Sequence, residues 1–132
     1  MEEKKQKLNQ WNEVKYKLHV SRRDYPAIDE GSVWWCALGE NIGVEMNGKS
    51  SLHSRPVLVY KKLNRHCFLA IPLTSQEKSG SWYVEFRFGG KKEWAALSQV
   101  RVVSVSRLYN RIGYVDDQDM EKVKTGFRAL YC

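Results

Sequence analysis

The chain has 132 residues, of which 42% are hydrophobic, 12% aromatic and 28% charged, a balance that is typical of a folded domain and excludes a disordered tail. This length suits one domain with a hydrophobic core and is too short for two of ordinary size. The 22 Lys and Arg against 15 Asp and Glu give a formal charge of +7, which favours polyanionic partners such as nucleic acids, although a basic surface also serves solubility alone.

The N-terminal segment has the spacing of an amphipathic helix. Leu8, Trp11 and Leu18 recur at helical intervals among Lys and Glu, which predicts a helix that packs on the following domain or, alternatively, borders a functional groove. We assign residues 1–26 to this helix and its linker, and residues 27–132 to a single domain. There is no apolar signal region and no run of ~20 apolar residues, so we expect a cytoplasmic protein without a membrane segment.

Apolar runs and alternating patterns predict seven short strands after the linker. A long loop, residues 39–54, separates the first two strands, and loops of this length are often functional. Gly89 and Gly90 predict a tight hairpin turn between the fourth and fifth strands. The seven strands are predicted at residues 32–38, 56–60, 66–73, 82–88, 93–97, 99–105 and 111–115.

The C-terminal part of the chain predicts one more turn and a closing helix. Ser106 is placed to cap a short turn over residues 107–110. Asp116 or Asp117 is placed to cap a helix whose apolar residues recur at helical spacing through Leu130. The predicted fold class is therefore mostly β with flanking helices (α+β), built on a small, strongly curved and mostly antiparallel barrel.

Several kinds of site lack support in the sequence. There is no phosphate-cradle, serine-hydrolase or zinc-protease motif, and no spacing predicts a metal site or a cofactor. The three cysteines cannot all pair, and their spacing predicts buried, reduced thiols. A ribonuclease mechanism that uses His53 with His66 stays open, although nothing in their spacing selects it.

One pair of polar residues does suggest chemistry. Arg55 stands at the junction of the long loop and the second strand, and Thr74 stands where the third strand ends. If these strands are antiparallel neighbours, the start of one lies beside the end of the other, which would bring Arg55 next to Thr74. A guanidinium beside a hydroxyl suits a phosphodiester. The alternative is structural: an arginine that caps loop carbonyls and a threonine that merely ends a strand.

Seven segments of this domain follow one another in a recognisable order. They are EGSVWWCALG (30–39), GVEMNG (43–48), SRPVLVY (54–60), IPLTS (71–75), LSQVRVVS (97–104), SRL (106–108) and RIG (111–113). In this order they resemble the MazF/PemK family of toxin endoribonucleases from bacterial toxin–antitoxin pairs. The resemblance implies a homodimer of SH3-like barrels that cleaves single-stranded RNA without a metal, leaves 2′,3′-cyclic phosphate and 5′-hydroxyl ends, and is silenced by a cognate antitoxin.

The resemblance also implies that Arg55 and Thr74 carry catalysis. A fixed guanidinium suits stabilisation of a phosphorane-like transition state, and the threonine hydroxyl would orient the phosphate. The chain departs from family members that use an acidic residue and an arginine just before the Q-x-R segment, where it has residues 96–98 (ALS), and that carry a histidine where it has Val44. The group that moves the proton is therefore open, with His53 as a candidate.

Seven further residues are candidate RNA contacts, because amides, carboxylates and cations read splayed single strands. For each of them, ordinary surface polarity is the alternative. Trp34 and Trp35 could stack bases, but adjacent strand residues face opposite ways, so at least one belongs to the core. Two other functions also stay open: a CcdB-like toxin that inhibits gyrase without catalysis, and an SH3-like module that binds RNA. The candidate contacts are Glu45, Asn47, Ser75, Gln76, Lys78, Gln99 and Arg101.

Overall fold

A computed structural model describes residues 6, 7, 9–11, 27–39 and 54–132 of the chain. The predicted helix and linker over residues 1–26 and the long loop therefore fall mostly outside the described residues. Two short 3₁₀ turns, Leu97–Gln99 and Val105–Arg107, precede the last two strands. The regular elements are β1 (Ser32–Ala37), β2 (Ser54–Lys62), β3 (Cys67–Thr74), β4 (Tyr83–Phe88), β5 (Lys91–Ala96), β6 (Arg101–Ser104), β7 (Leu108–Tyr114) and α1 (Asp117–Tyr131).

The strands form one antiparallel sheet in the order β4-β5-β3-β2-β1-β7, and β6 pairs with the first half of β3. This confirms the predicted mostly-β fold with a closing helix. The sheet is not closed into the predicted barrel, because among the described strands the pairing ends at β4 and β7. The two end strands still approach each other, because the Phe88 ring of β4 lies against the backbone of β7: a Cβ at Gly113 would be 3.2 Å from that ring.

Both faces of the central strands are buried, which explains why their sequences read as continuous apolar runs. Val57 and Val59 of β2 belong to one hydrophobic cluster together with Trp34 and Phe68. Leu58, between them, points to the opposite face and belongs to a second cluster. The helix α1 covers this second face. Burial on both sides fixes the register of β2, since a slip of one residue would exchange its two faces.

The predicted cap at the start of the closing helix and the predicted hairpin turn are both confirmed. Asp116 accepts a hydrogen bond from the backbone N–H of Asp119 at 2.8 Å, which caps the first turn of α1. Gly89 and Gly90 have φ angles of +60° and +79°, the left-handed conformation that a two-residue hairpin turn requires. Among the described residues, no helix has the length and apolarity that would allow it to cross a membrane.

The predicted turn after Ser106 is wrong. Ser104 is the capping residue, and its hydroxyl accepts from the backbone N–H of Ser106 at 3.3 Å. Of the residues assigned to the turn, Arg107 ends the 3₁₀ turn and the other three open β7, whose first residue, Leu108, is paired with Cys36 of β1. This strand pairing joins residues far apart in the chain, so it overrides the local signal of a serine before polar residues.

The prediction of reduced thiols holds for all three cysteines, whereas the prediction of burial holds only for Cys36. This residue is fully buried in β1, and burial raises the pKa of its thiol to about 12, although the nearby Arg107 and Arg101 act in the opposite direction. Cys67 is half-buried and Cys132 is exposed, and all three are free thiols. Cys36 is therefore an apolar core residue rather than a reactive one.

Trp11 packs on the domain, as the helical spacing predicted. Its side chain is buried, and its ring lies so close to Gly39 that a Cβ there would overlap it. The guanidinium of Arg107 lies 5.4 Å from the ring centroid, within the range of a cation–π contact. Leu18, the other residue expected in this contact, lies outside the described residues.

A glycine in the middle of α1 allows the helix to approach the sheet closely. A Cβ at Gly126 would lie 2.8 Å from Val84 Cγ2 and 3.1 Å from Leu97 Cδ1. We expect Gly126→Val to lower the free energy of unfolding by about 1–3 kcal/mol, because the added methyl groups overpack this contact. Urea unfolding measures this change in the free energy of unfolding. Thr125→Val introduces the same residue at the exposed neighbouring position and should change stability by less than about 0.5 kcal/mol.

Candidate active site

A groove of about 730 Å³ opens where β2 begins and β3 ends. Arg55 and Thr74 line it together with residues from β1, β5, β7 and the hairpin between β4 and β5. The groove thus gathers segments that are far apart in the sequence. Both polar residues are mostly buried, with 9% of Arg55 and 4% of Thr74 exposed, so they form its floor.

The strand register explains why these two residues meet. Val57 of β2 is paired with Pro72 of β3, and the same register continued by two residues places Arg55 opposite Thr74. The Arg55 Nη1 donates a hydrogen bond to the carbonyl oxygen of Leu73 at 3.2 Å. Pro56 restricts the residue before it to extended backbone, which suits the start of a strand. One guanidinium donor therefore fixes the side chain on the β3 backbone.

The environment of Arg55 leaves it charged but incompletely hydrated. Burial lowers the pKa of its guanidinium below its usual value, and the negative charge of Glu93 partly opposes this. An arginine keeps its proton at neutral pH even so. A charge with few waters around it interacts more strongly with an anion than the same charge on an open surface.

Thr74 has a defined hydrogen-bond partner. Its Oγ1 accepts from the backbone N–H of Gln76 at 3.2 Å. A hydroxyl that accepts one bond keeps its own proton as a donor. Together, the two side chains can present a cation and a neutral donor to one phosphate group.

The sequence interpretation missed Glu93 as a site residue. Glu93 lies in β5, lines the groove and interacts electrostatically with Arg55. Its position follows from the pairing of β5 with the end of β3, where Trp94 is opposite Thr74. The sequence indicates the hairpin between β4 and β5, but it does not show that β5 also pairs with β3. No signal in the sequence therefore placed Glu93 in the site.

Aromatic and cationic side chains border the groove. Trp35 is 38% exposed and lines it, whereas the adjacent Trp34 is buried and donates from Nε1 to the hydroxyl of Ser32 at 3.0 Å. One tryptophan is therefore core and the other is available for stacking, as strand alternation requires. Tyr109 and Lys91 also line the groove, and neither was singled out from the sequence.

Only part of the predicted RNA-contact set reaches this groove. Ser75 lines it. Gln76 follows on the same loop, and the Lys78 Nζ lies 5.8 Å from the centroid of the Tyr83 ring; neither is among the lining residues. Glu45 and Asn47 lie outside the described residues.

The other predicted residues lie elsewhere or are not described. Gln99 is in the 3₁₀ turn after β5, and Arg101 is opposite Ala70 of β3, four residues before Thr74. His66 is exposed and accepts from the Arg65 Nε at 3.3 Å, away from the groove-lining residues. His53, the candidate proton carrier, lies outside the described residues. Within the described part of the chain, no group of three or more His, Cys, Asp or Glu residues is arranged to hold a metal ion.

Comparison with protein families identifies one match. The profile of the family described as PemK-like, MazF-like toxin of type II toxin–antitoxin system matches residues 29–131. No curated protein is significantly similar in sequence.

Solved structures share the fold at low sequence identity. MazF from Deinococcus radiodurans has 19% identity and a TM-score of 0.66, over 80% of this chain and 96% of that protein. The MazE–MazF structure from the same organism has 18% identity and a TM-score of 0.60, over 80% and 95%. A mycobacterial endoribonuclease in complex with its cognate antitoxin has 18% identity and a TM-score of 0.62, over 78% and 93%. At these identities, the likeness establishes the fold.

Proposed function

The chain belongs to the PemK-like, MazF-like toxins of type II toxin–antitoxin systems, and from this premise we propose that it is an endoribonuclease that cleaves single-stranded RNA. The observation that carries the proposal is the meeting of Arg55 and Thr74 on the floor of one groove. A toxin that acted only by binding gyrase would not require a buried cation and a hydroxyl arranged for a phosphodiester.

The proposed reaction needs no group from outside the RNA to attack the phosphorus. The ribose 2′-oxygen forms a new bond to phosphorus, the bond from phosphorus to the 5′-oxygen breaks, and the products are a 2′,3′-cyclic phosphate and a 5′-hydroxyl. The phosphorane-like transition state carries more negative charge than the diester. Arg55 stabilises this charge from a partly dehydrated position, and the Thr74 hydroxyl holds a non-bridging oxygen.

The groove suits an unpaired strand better than a duplex. Single-stranded bases can turn outward and stack on aromatic side chains, and Trp35 and Tyr109 line the groove beside Lys91. The charge of +7 supports attraction of the RNA backbone. Ser75, at the end of β3, is placed for a polar contact with the bound strand.

Membership of this toxin family also leads us to expect protein partners. Because MazF of D. radiodurans has been solved with MazE, and the mycobacterial endoribonuclease with its cognate antitoxin, we expect this toxin to bind an antitoxin protein that silences it. We also expect a homodimer. The exposed apolar residues Ile112 and Tyr114 on the end strand β7 support the burial of this edge by a partner.

Cleavage of a defined RNA in EDTA tests the proposed function. We expect purified protein to cut a long single-stranded RNA, to leave DNA of the same sequence intact, and to fail where the cleavage-site nucleotide carries 2′-hydrogen in place of the 2′-hydroxyl. Salt-dependent RNA binding without products would instead indicate a binding module. Intact RNA together with inhibited DNA gyrase would indicate a CcdB-like toxin, and either result would contradict the proposal.

A further inference from the structure

Glu93 is the one carboxylate among the described residues that line the groove, and the mechanism above gives it no role. It is half-buried in β5, and it lines the same space as Arg55 and Thr74. Continuing the pairing of Thr74 with Trp94 by one residue places Glu93 opposite Ser75. As one of the residues that line the groove, Glu93 shares the space in which the proposed phosphate binds.

Transfer of the 2′-hydroxyl proton requires a base, and the other groups on the floor of the groove are poor candidates. Arg55 is protonated at neutral pH, and its lowered pKa does not change this. A threonine hydroxyl does not ionise at neutral pH, and its protonated form is a strong acid, so Thr74 cannot accept and hold the proton. Histidine is absent from the described residues that line the groove. A glutamate, in contrast, is ordinarily an ionised proton acceptor near pH 7.

The electrostatic interaction between Glu93 and Arg55 favours the ionised form of both groups. The negative charge of Glu93 raises the pKa of Arg55, and by reciprocity the guanidinium favours the carboxylate over the carboxylic acid. When RNA binds, its phosphate competes for the same guanidinium. The carboxylate then loses part of this stabilisation and becomes a stronger proton acceptor in the groove.

We propose that Glu93 is the general base of the cleavage reaction, an inference that rests on the proposed endoribonuclease function. The Glu93 carboxylate takes the proton of the 2′-hydroxyl while the 2′-oxygen bonds to phosphorus. The bond to the 5′-oxygen breaks with its electron pair, and this oxygen takes a proton from solvent water. Glu93 then returns its proton to solvent, so the enzyme is unchanged.

The pH profile of Glu93→Gln tests this assignment. In wild type, kcat/KM should rise tenfold per pH unit below the pKa of the base and then level off. Glu93→Gln should lower kcat by about 10²-fold, change KM little, and remove the rising limb. Glu93→Asp should keep the rise of kcat/KM with pH, at a reduced rate. Glu85 is an exposed residue of β4 that forms an ion pair with Lys92. Glu85→Gln makes the same chemical change there and should keep both the wild-type rate and the wild-type pH profile.

A modified substrate separates a base from an acid. In RNA with sulfur in place of the 5′-oxygen at the cleavage site, the leaving thiolate needs no proton, so only assistance to the 2′-hydroxyl still matters. Glu93→Gln should remain slow on this substrate. Recovery of the wild-type rate would overturn the assignment and indicate a general acid.

Two other results would also contradict the assignment. The first is a Glu93→Gln loss that is equal at every pH, which would mean that Glu93 only positions Arg55. The second is loss of the rising limb in His53→Asn but not in Glu93→Gln. Both results require a wild-type protein that cleaves RNA. Absence of cleavage by the wild-type protein would instead contradict the proposed function itself. Thermal unfolding of each variant checks that the fold is intact.

Discussion

Arg55→Ala is expected to slow RNA cleavage by about 10³- to 10⁴-fold while the protein stays folded. Removal of one preorganised donor from an oxyanion site costs about 10²- to 10³-fold, and an arginine that neutralises a phosphoryl transition state contributes about 10³ to 10⁵. Arg55 combines both roles, since it is charged and mostly buried. Single-turnover cleavage of a short RNA measures the effect on the chemical step.

The substitutions around this prediction separate charge from geometry. Arg55→Lys keeps the charge but loses the planar fork that binds two oxygens, so its rate should fall between those of wild type and Arg55→Ala. Arg87→Ala removes the same charge from an exposed position on β4 and should retain cleavage. Full activity in folded Arg55→Ala, or an equal loss in Arg87→Ala, would contradict the assigned role.

Thr74→Val is expected to lower kcat by about 10²-fold with a smaller change in KM. Valine has nearly the same shape as threonine but cannot donate a hydrogen bond to the phosphate, so the loss falls mainly on the transition state. The hydroxyl also accepts from the Gln76 backbone at 3.2 Å, and loss of this bond should cost about 0.5–1.5 kcal/mol of stability. Steady-state cleavage with urea unfolding measures both effects.

Thr74→Ser is the matched control, because it keeps the hydroxyl and removes only a methyl group. It should retain most of the activity. If Thr74→Val cleaves as fast as Thr74→Ser, the hydroxyl plays no part in the reaction and Thr74 only ends β3.

The part of the site that could be predicted from the sequence depends on one local hairpin. Only four residues separate β2 from β3, so antiparallel pairing of these strands follows from chain connectivity, and the proximity of Arg55 and Thr74 follows from that pairing. Glu93 enters by another route. The strand β5 pairs with its hairpin partner β4 and also with the end of β3, and nothing local in the sequence selects that second neighbour.

The fold shows the same division between local and distant interactions. The Gly89 and Gly90 turn and the Asp116 cap depend on neighbouring residues, and both predictions are confirmed. The start of β7 at Leu108 depends on pairing with β1, more than 70 residues earlier, and the prediction of a turn there is wrong. Closure of the sheet also depends on strands that are distant in the chain. The structure corrects the prediction of a closed barrel as well.

Mapping both ends of every cut in a long RNA, with wild type and Arg55→Ala in EDTA, is the most direct test of the proposal that Arg55 carries RNA cleavage. We expect cuts at a limited set of short sequences in wild type, each leaving a 2′,3′-cyclic phosphate and a 5′-hydroxyl, and none above background in folded Arg55→Ala. Cuts that leave 5′-phosphate ends, or a wild-type pattern that persists in Arg55→Ala, would contradict it.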